Sequence, residues 1–188
     1  MNDTGIRERA ARTAVDGFIA VERIYRHSHQ TLTVLKDKLK DELKLKVESP
    51  IWYNSSSSSD PTSWIHRFRG LYLAHSKPTL EAYSKNELPL LFLQASMYNP
   101  NKTEPILRYG IIEKMFNMSK WKGVRFDEHF RYLLSDIHAE PRAGKVKASR
   151  CEAIIQFDEK PLLDVREDSD IVDLATAVGE RYGSELVK

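Results

Sequence analysis

Residues 14–43 read AVDGFIAVERIYRHSHQTLTVLKDKLKDEL, and their spacing decides how the chain is organised. Ala14, Phe18, Val21, Tyr25, Ser28, Leu32, Leu35 and Leu39 stand alternately four and three apart, a heptad seam. Ala11 extends it backwards, and Ile24, Val34 and Leu43 widen it on one flank. A bare seam suits a coiled coil, whereas a wider stripe suits a helix lying on a globular core. The pattern predicts one long amphipathic N-terminal helix over 1–47, an assembly element. Its interaction seam is Ala14, Phe18, Val21, Tyr25, Leu32, Leu35 and Leu39. The first half is rich in Arg, Ala and aromatic residues; the second alternates Lys with Asp and Glu around leucines. Between them His27-Ser28-His29-Gln30-Thr31 is polar and of poor helix propensity, so a bend or break is expected at 27–31. Unbroken, the helix would span about 50–60 Å at 1.5 Å per residue. A domain of this size has a radius of gyration of about 16 Å, so part of the helix must project, fold back or meet another chain.

Residues 48–188 read as a sheet domain. Pro50 ends helix formation, and strands are expected at 47–53, 64–74 and 90–98, with 106–116 returning as an antiparallel partner. In 90–98, Leu91, Leu93, Ala95 and Met97 share one face and Gln94 and Ser96 the other. Phe126, Phe130, Leu133, Leu134 and Ile137 have helical spacing behind Asp127 as N-cap. Cys151, Ala153, Ile155 and Phe157 alternate as a half-buried strand, which 158–161 turns into a further strand at 162–165. Ile171, Leu174, Ala175, Val178 and Tyr182 form a last helix, capped by Ser169 and stopped near Gly183. A short helix is expected within 77–87, a turn at 99–101, and a flexible Ser-rich loop at 54–63. The order lacks regular βαβ alternation. It specifies an α+β fold, an antiparallel sheet of about five or six strands carrying the long helix and two shorter ones.

Composition bounds the rest. A chain of 188 residues, 41% hydrophobic and 30% charged, has room for a core without disulfides. The lone Cys151 and a polar N-terminus without an apolar leader point to a reducing compartment, the cytoplasm. No apolar run is long enough to span a bilayer, so no membrane partner is expected. Net charge is +2 but uneven: +3 over 1–47, zero over 48–105, +5 over 106–150 and −6 over 151–188. The last two blocks either neutralise each other or face separate partners.

Motifs for chemistry are weak. His27 and His29 are two apart on a helix and cannot share a metal. His129, Glu128 and Asp136 lack further ligands at metal spacing. No metal or cofactor is expected. Asp158-x-Lys160 has the acidic-x-Lys spacing with which restriction-type nucleases hold magnesium, but Pro161 predicts a charged hairpin tip instead. Cys151 alternates onto an apolar face, and Gly144-Lys145 lacks the rest of a phosphate loop.

The basic residues are more suggestive. Lys114, Lys120, Trp121, Lys122 and Arg125 form one cluster, and Arg142, Lys145, Lys147 and Arg150 a second. Together they would offer phosphate contacts with an aromatic ring for a base. Because Lys145 and Lys147 share parity with Cys151 and Ala153, they are expected beyond the edge of the core on one continuous strand. Three functions stand against one another. The leading one is a non-catalytic assembly or adaptor protein that meets a protein partner, or a second copy, through the N-terminal helix. The alternatives are a nucleic-acid-binding subunit using the 114–150 surface, and an enzyme whose site is assembled from distant residues.

Overall fold

The computed structural model describes residues 3–54, 66–75, 89–97, 104–116, 126–137, 143–149 and 151–186. The expected helix within 77–87, the turn at 99–101 and the Ser-rich segment 55–63 lie outside them. The elements follow in order: α1 (Asp3–Leu43), β1 (Val47–Asn54), β2 (His66–Ala74), β3 (Leu90–Ser96), β4 (Ile106–Phe116), α2 (Phe126–Asp136), β5 (Ala143–Lys147), β6 (Glu152–Pro161), a 3₁₀ turn (Leu162–Asp164) and α3 (Asp168–Leu186). The strands form one sheet in the order β1-β2-β3-β4-β6-β5, with every pairing antiparallel. This is the α+β fold with a long N-terminal helix and two shorter ones.

The sheet is covered on both faces. Phe68, Tyr72, Phe92, Ile112, Met115, Ala153, Ile155 and Phe157 pack against Phe126, Phe130, Leu133, Leu134 and Ile137 of α2. On the opposite face Leu71, Leu73, Leu91, Leu93, Ala95, Leu107 and Ile111 pack against the second half of α1 and against α3. Coverage from both sides explains why β3 is buried along its whole length. Gln94 and Ser96 therefore do not face solvent; they lie beneath α2, where Gln94 Nε2 donates to Leu134 O at 2.9 Å.

The helix α1 is continuous where a bend or break was expected. Ser28 and Thr31 are buried rather than exposed. Ser28 Oγ donates to Tyr25 O at 2.8 Å, and His27 Nε2 lies 3.1 Å from Leu162 O. Residues of poor helix propensity are held helical by the layer beneath them, the usual way tertiary contact overrides propensity. The polar segment marks where the helix enters the domain.

The two helices on that face run side by side in the same direction. His27 meets Leu162 just ahead of α3, while Gly179 and Gly183 of α3 face Glu42 and Leu43 at the end of α1. A Cβ on Gly183 would stand 3.0 Å from Leu43 Cδ2. Gly183 thus serves close approach rather than a helix stop, and α3 continues to Leu186. Its N-terminal cap is also not Ser169. Asp170 Oδ2 reaches back to the N–H groups of Arg166 at 2.8 Å and Glu167 at 3.0 Å, half of a capping box. Asp127, expected as the N-cap of α2, sits inside its first turn and accepts from Tyr72 Oη at 2.9 Å.

Two strand assignments change. The chain does not turn at 158–161: β6 runs through Pro161, and 162–164 is a 3₁₀ turn rather than a strand. Nor does the strand of Cys151 and Ala153 run back without interruption through Lys145 and Lys147. Ala148 N donates to Cys151 O at 2.8 Å, closing a turn between β5 and β6.

Candidate functional site

The seam of α1 divides into two parts. Leu32, Leu35 and Leu39 are buried in the protein's own core, and Val21 and Tyr25 are half-buried. Ahead of them every residue from 5 to 20 is exposed, Ala14 and Phe18 included. Those 16 residues span about 24 Å of helix at 1.5 Å each. Ile6, Val15, Phe18 and Ile19 are all large, apolar and exposed, Phe18 at 59%. The outward chemistry of the two parts differs as well. Residues 3–27 contain Arg7, Arg9, Arg12, Arg23 and Arg26 and no lysine; residues 28–46 contain Lys36, Lys38, Lys40, Lys44 and Lys46 and no arginine. Arginine and aromatic residues are enriched at protein interfaces, and lysine is depleted there.

Of the expected phosphate contacts, Lys114, Lys145 and Lys147 are described. Lys120, Trp121, Lys122, Arg125, Arg142 and Arg150 lie outside the described residues. The three lysines are brought together by a feature that the sequence reading missed. The pairing of β4 with β6 slips at Glu113: Ile112 stands opposite Ile155, but Lys114 opposite Ile154. This β-bulge inserts one residue and reverses the alternation after it. Met115 consequently enters the core beneath α2, while Lys114 and Phe116 turn to the other face.

There they meet β5. Two rows cross three strands: Lys114–Ile154–Lys145 and Phe116–Glu152–Lys147. Lys114 Nζ lies 5.8 Å and Lys145 Nζ 4.8 Å from the centre of the Phe116 ring, within cation–π range. Lys145 also pairs with Glu152. The expected parity of Lys145 and Lys147 with Ala153 is corrected by the turn at 148–151. Val146 is the residue opposite Ala153 and is buried; Lys145 and Lys147 face away from α2 and are exposed. Helices α1 and α3 pack over β2, β3 and β4 on this face. The acidic C-terminal helix accordingly does not cover the lysines of β5. Phe116 was legible only as the partner of Lys114 at i+2, a signal that requires the bulge to be known.

The remaining polar groups are absorbed by the fold. Asp158, the acidic member of Asp158-x-Lys160, lies within β6 opposite Tyr109. Tyr182 Oη donates to it at 2.9 Å and Arg181 pairs with it at 2.8 Å. Burial, then the neighbouring Asp158 carboxylate, holds the Tyr182 phenol well above its usual pKa, so it stays a donor. Beneath α2, a second row runs Gln94–Arg108–Glu159 across β3, β4 and β6. Arg108 is fully buried; its Nε donates to Glu159 Oε1 at 2.7 Å and Nη1 to Gln94 Oε1 at 3.3 Å. Among the described residues no group of His, Cys, Asp and Glu could hold a metal ion, and no helix is long and apolar enough to cross a membrane. Cys151 is buried and in no disulfide, and its Sγ donates weakly to His129 O at 3.8 Å. The chain matches no protein-family model, no curated protein and no solved structure.

Proposed function

We propose that this is a non-catalytic assembly or adaptor protein of the cytoplasm, which docks a partner helix on the exposed first half of α1. One observation carries the reading: a single apolar stripe is filled by the protein's own core over Leu32–Leu39 and left in solvent ahead of it. Full burial of a large apolar side chain is worth about 1.5–3 kcal/mol. Phe18, on the seam, and Val15, beside it, would together contribute about 3–6 kcal/mol toward the roughly 4–15 kcal/mol that association must overcome, whereas Ile6 and Ile19 stand on other faces of the helix. The exposed helix also carries Gly5 and Gly17, each costing about 1 kcal/mol relative to alanine. An isolated helix of that composition is marginal; continuity with the anchored half, and a partner along the stripe, would hold it. The partner is a second copy or another helical protein.

Sedimentation equilibrium over a wide concentration range tests this. Wild type is expected to exceed the monomer mass and Phe18→Asp to return it to monomer, with equal thermal midpoints for the two only at dilutions where wild type is itself dissociated. A wild type that stays monomeric at the highest concentration ends the self-assembly form of the proposal.

A further inference from the structure

We propose that the face of β4, β6 and β5 turned away from α2 binds single-stranded nucleic acid. Phe116 is the stacking platform, and Lys114, Lys145 and Lys147 are the phosphate contacts. The inference is independent of α1. It rests on the bulge at Glu113, which moves one lysine and one aromatic residue out of the α2 core onto the same face as two exposed lysines.

Adjacent strands lie about 4.8 Å apart, so the two rows make a platform about 10 Å wide, with the Phe116 ring and one amine on β4 and two amines across from them on β5. Lys114 and Lys145 come from the outer strands of this trio, and Phe116 and Lys147 stand one row further on, with Glu152 between them. A sheet face that offers an aromatic ring among cations is the geometry by which single strands are held: bases stack and phosphates are neutralised. Duplex DNA keeps its bases stacked on one another, so the ring would add nothing there. An acidic peptide would use the lysines and not the ring. The cations are lysines, point charges without a bidentate fork, which suits a backbone read without base specificity. Glu152 is the one acidic side chain in the two rows. It pairs with Lys145 in the structure, so binding requires Lys145 to exchange that carboxylate for a phosphate.

The probe is a fluorescent single-stranded oligothymidylate of about a dozen nucleotides, followed by anisotropy on the full chain at several salt concentrations. Three single-strand phosphate contacts predict a slope of log K against log salt of about −2. Lys147→Gln should make that slope shallower by about 0.7. Phe116→Leu, which keeps an apolar side chain of similar size, should weaken binding about tenfold and leave the slope unchanged. A merely structural Phe116 would not separate the two quantities in this way. Absence of binding at low salt overturns the proposal. So does equal affinity of wild type and Phe116→Leu, or equal binding of duplex DNA or of polyglutamate.

Discussion

Phe92 of β3 and Phe157 of β6 pack edge-on at 6.3 Å between ring centres, although β4 runs between their strands. They meet because the residue between them in the row is Gly110. A Cβ there would stand 2.1 Å from Gln156 O and 2.5 Å from Phe157 Cα. Both neighbours are backbone and cannot swing aside. Gly110→Ala should therefore cost about 3 kcal/mol, the upper end for overpacking, read as a lower urea midpoint. Gly179→Ala is the control. Its Cβ would meet Glu42 Oε1 at 2.6 Å, but Glu42 is an exposed side chain that can move. Removing a helical glycine returns up to about 1 kcal/mol, so this variant should match or exceed wild-type stability.

The divided seam makes its two halves separable by mutation. Leu35 is fully buried in the domain's own core. Leu35→Asp places a carboxylate in that core and should cost about 4 kcal/mol or more. Phe18 is mostly exposed, so Phe18→Asp should leave stability within about 0.5 kcal/mol. Chemical denaturation of both, under dilute conditions where wild type is least associated, checks the pair. Comparable losses would mean that residues 5–20 belong to the folding unit.

Arg108 is a buried ion pair with one loose end: its Nη2 has no hydrogen-bond partner. Arg108→Met leaves Glu159 facing a covered layer without its cation, which should cost about 3–5 kcal/mol. Replacing both residues, as Arg108→Met with Glu159→Leu, removes the stranded charge and should recover about 2 kcal/mol of that loss. Urea titrations of the two variants decide it; a double variant less stable than the single one would refute this account.

These contrasts show what the sequence carried and what it did not. Alternation named the core residues of β3 and β6, and heptad spacing found α1, because each is a local signal that one face satisfies alone. Gln94, Ser96 and Arg108 gave no such signal. Their burial comes from α2, which crosses the sheet from a distant part of the chain. Ser28 and Thr31 read as a break for the same reason: propensity is local, and the layer under them is not. The basic cluster was visible as composition. Its assembly around Phe116 was not, since one inserted residue at Glu113 decides which side chains share a face. The turn at 148–151 likewise reversed the parity expected for Lys145 and Lys147.

Acid stability should carry a contribution from the cap of α3. Hydrogen bonds from the Glu167 and Arg166 N–H groups hold the Asp170 carboxyl below its usual pKa. A depressed folded pKa means that the unfolded chain takes up the proton first. The contribution is complete above the unfolded value of about 4, and is lost as pH falls from there through the folded pKa. Asp170→Asn keeps an acceptor oxygen and removes the titration. Thermal midpoints measured from pH 6 to pH 2 should fall less steeply below pH 4 for this variant than for wild type. Identical slopes would show that the cap does not titrate with folding.

The bulge at Glu113 offers the sharpest test of the β4 register. Glu113 is the one residue of this stretch without a partner on β6, so deleting it leaves the pairs on either side as they are: Ile112 opposite Ile155, Lys114 opposite Ile154 and Met115 opposite Ala153. Lys114 and Phe116 would keep their face, and Met115 would stay buried beneath α2. The deletion should therefore be tolerated at a cost of about 1 kcal/mol, from the lost local twist. Glu113→Ala, which keeps the extra residue and alters only an exposed side chain, should be close to neutral. Thermal melts of the two variants against wild type check this. A deletion that costs about 3 kcal/mol or more would show that the strand beyond Glu113 does not keep its pairing without the inserted residue.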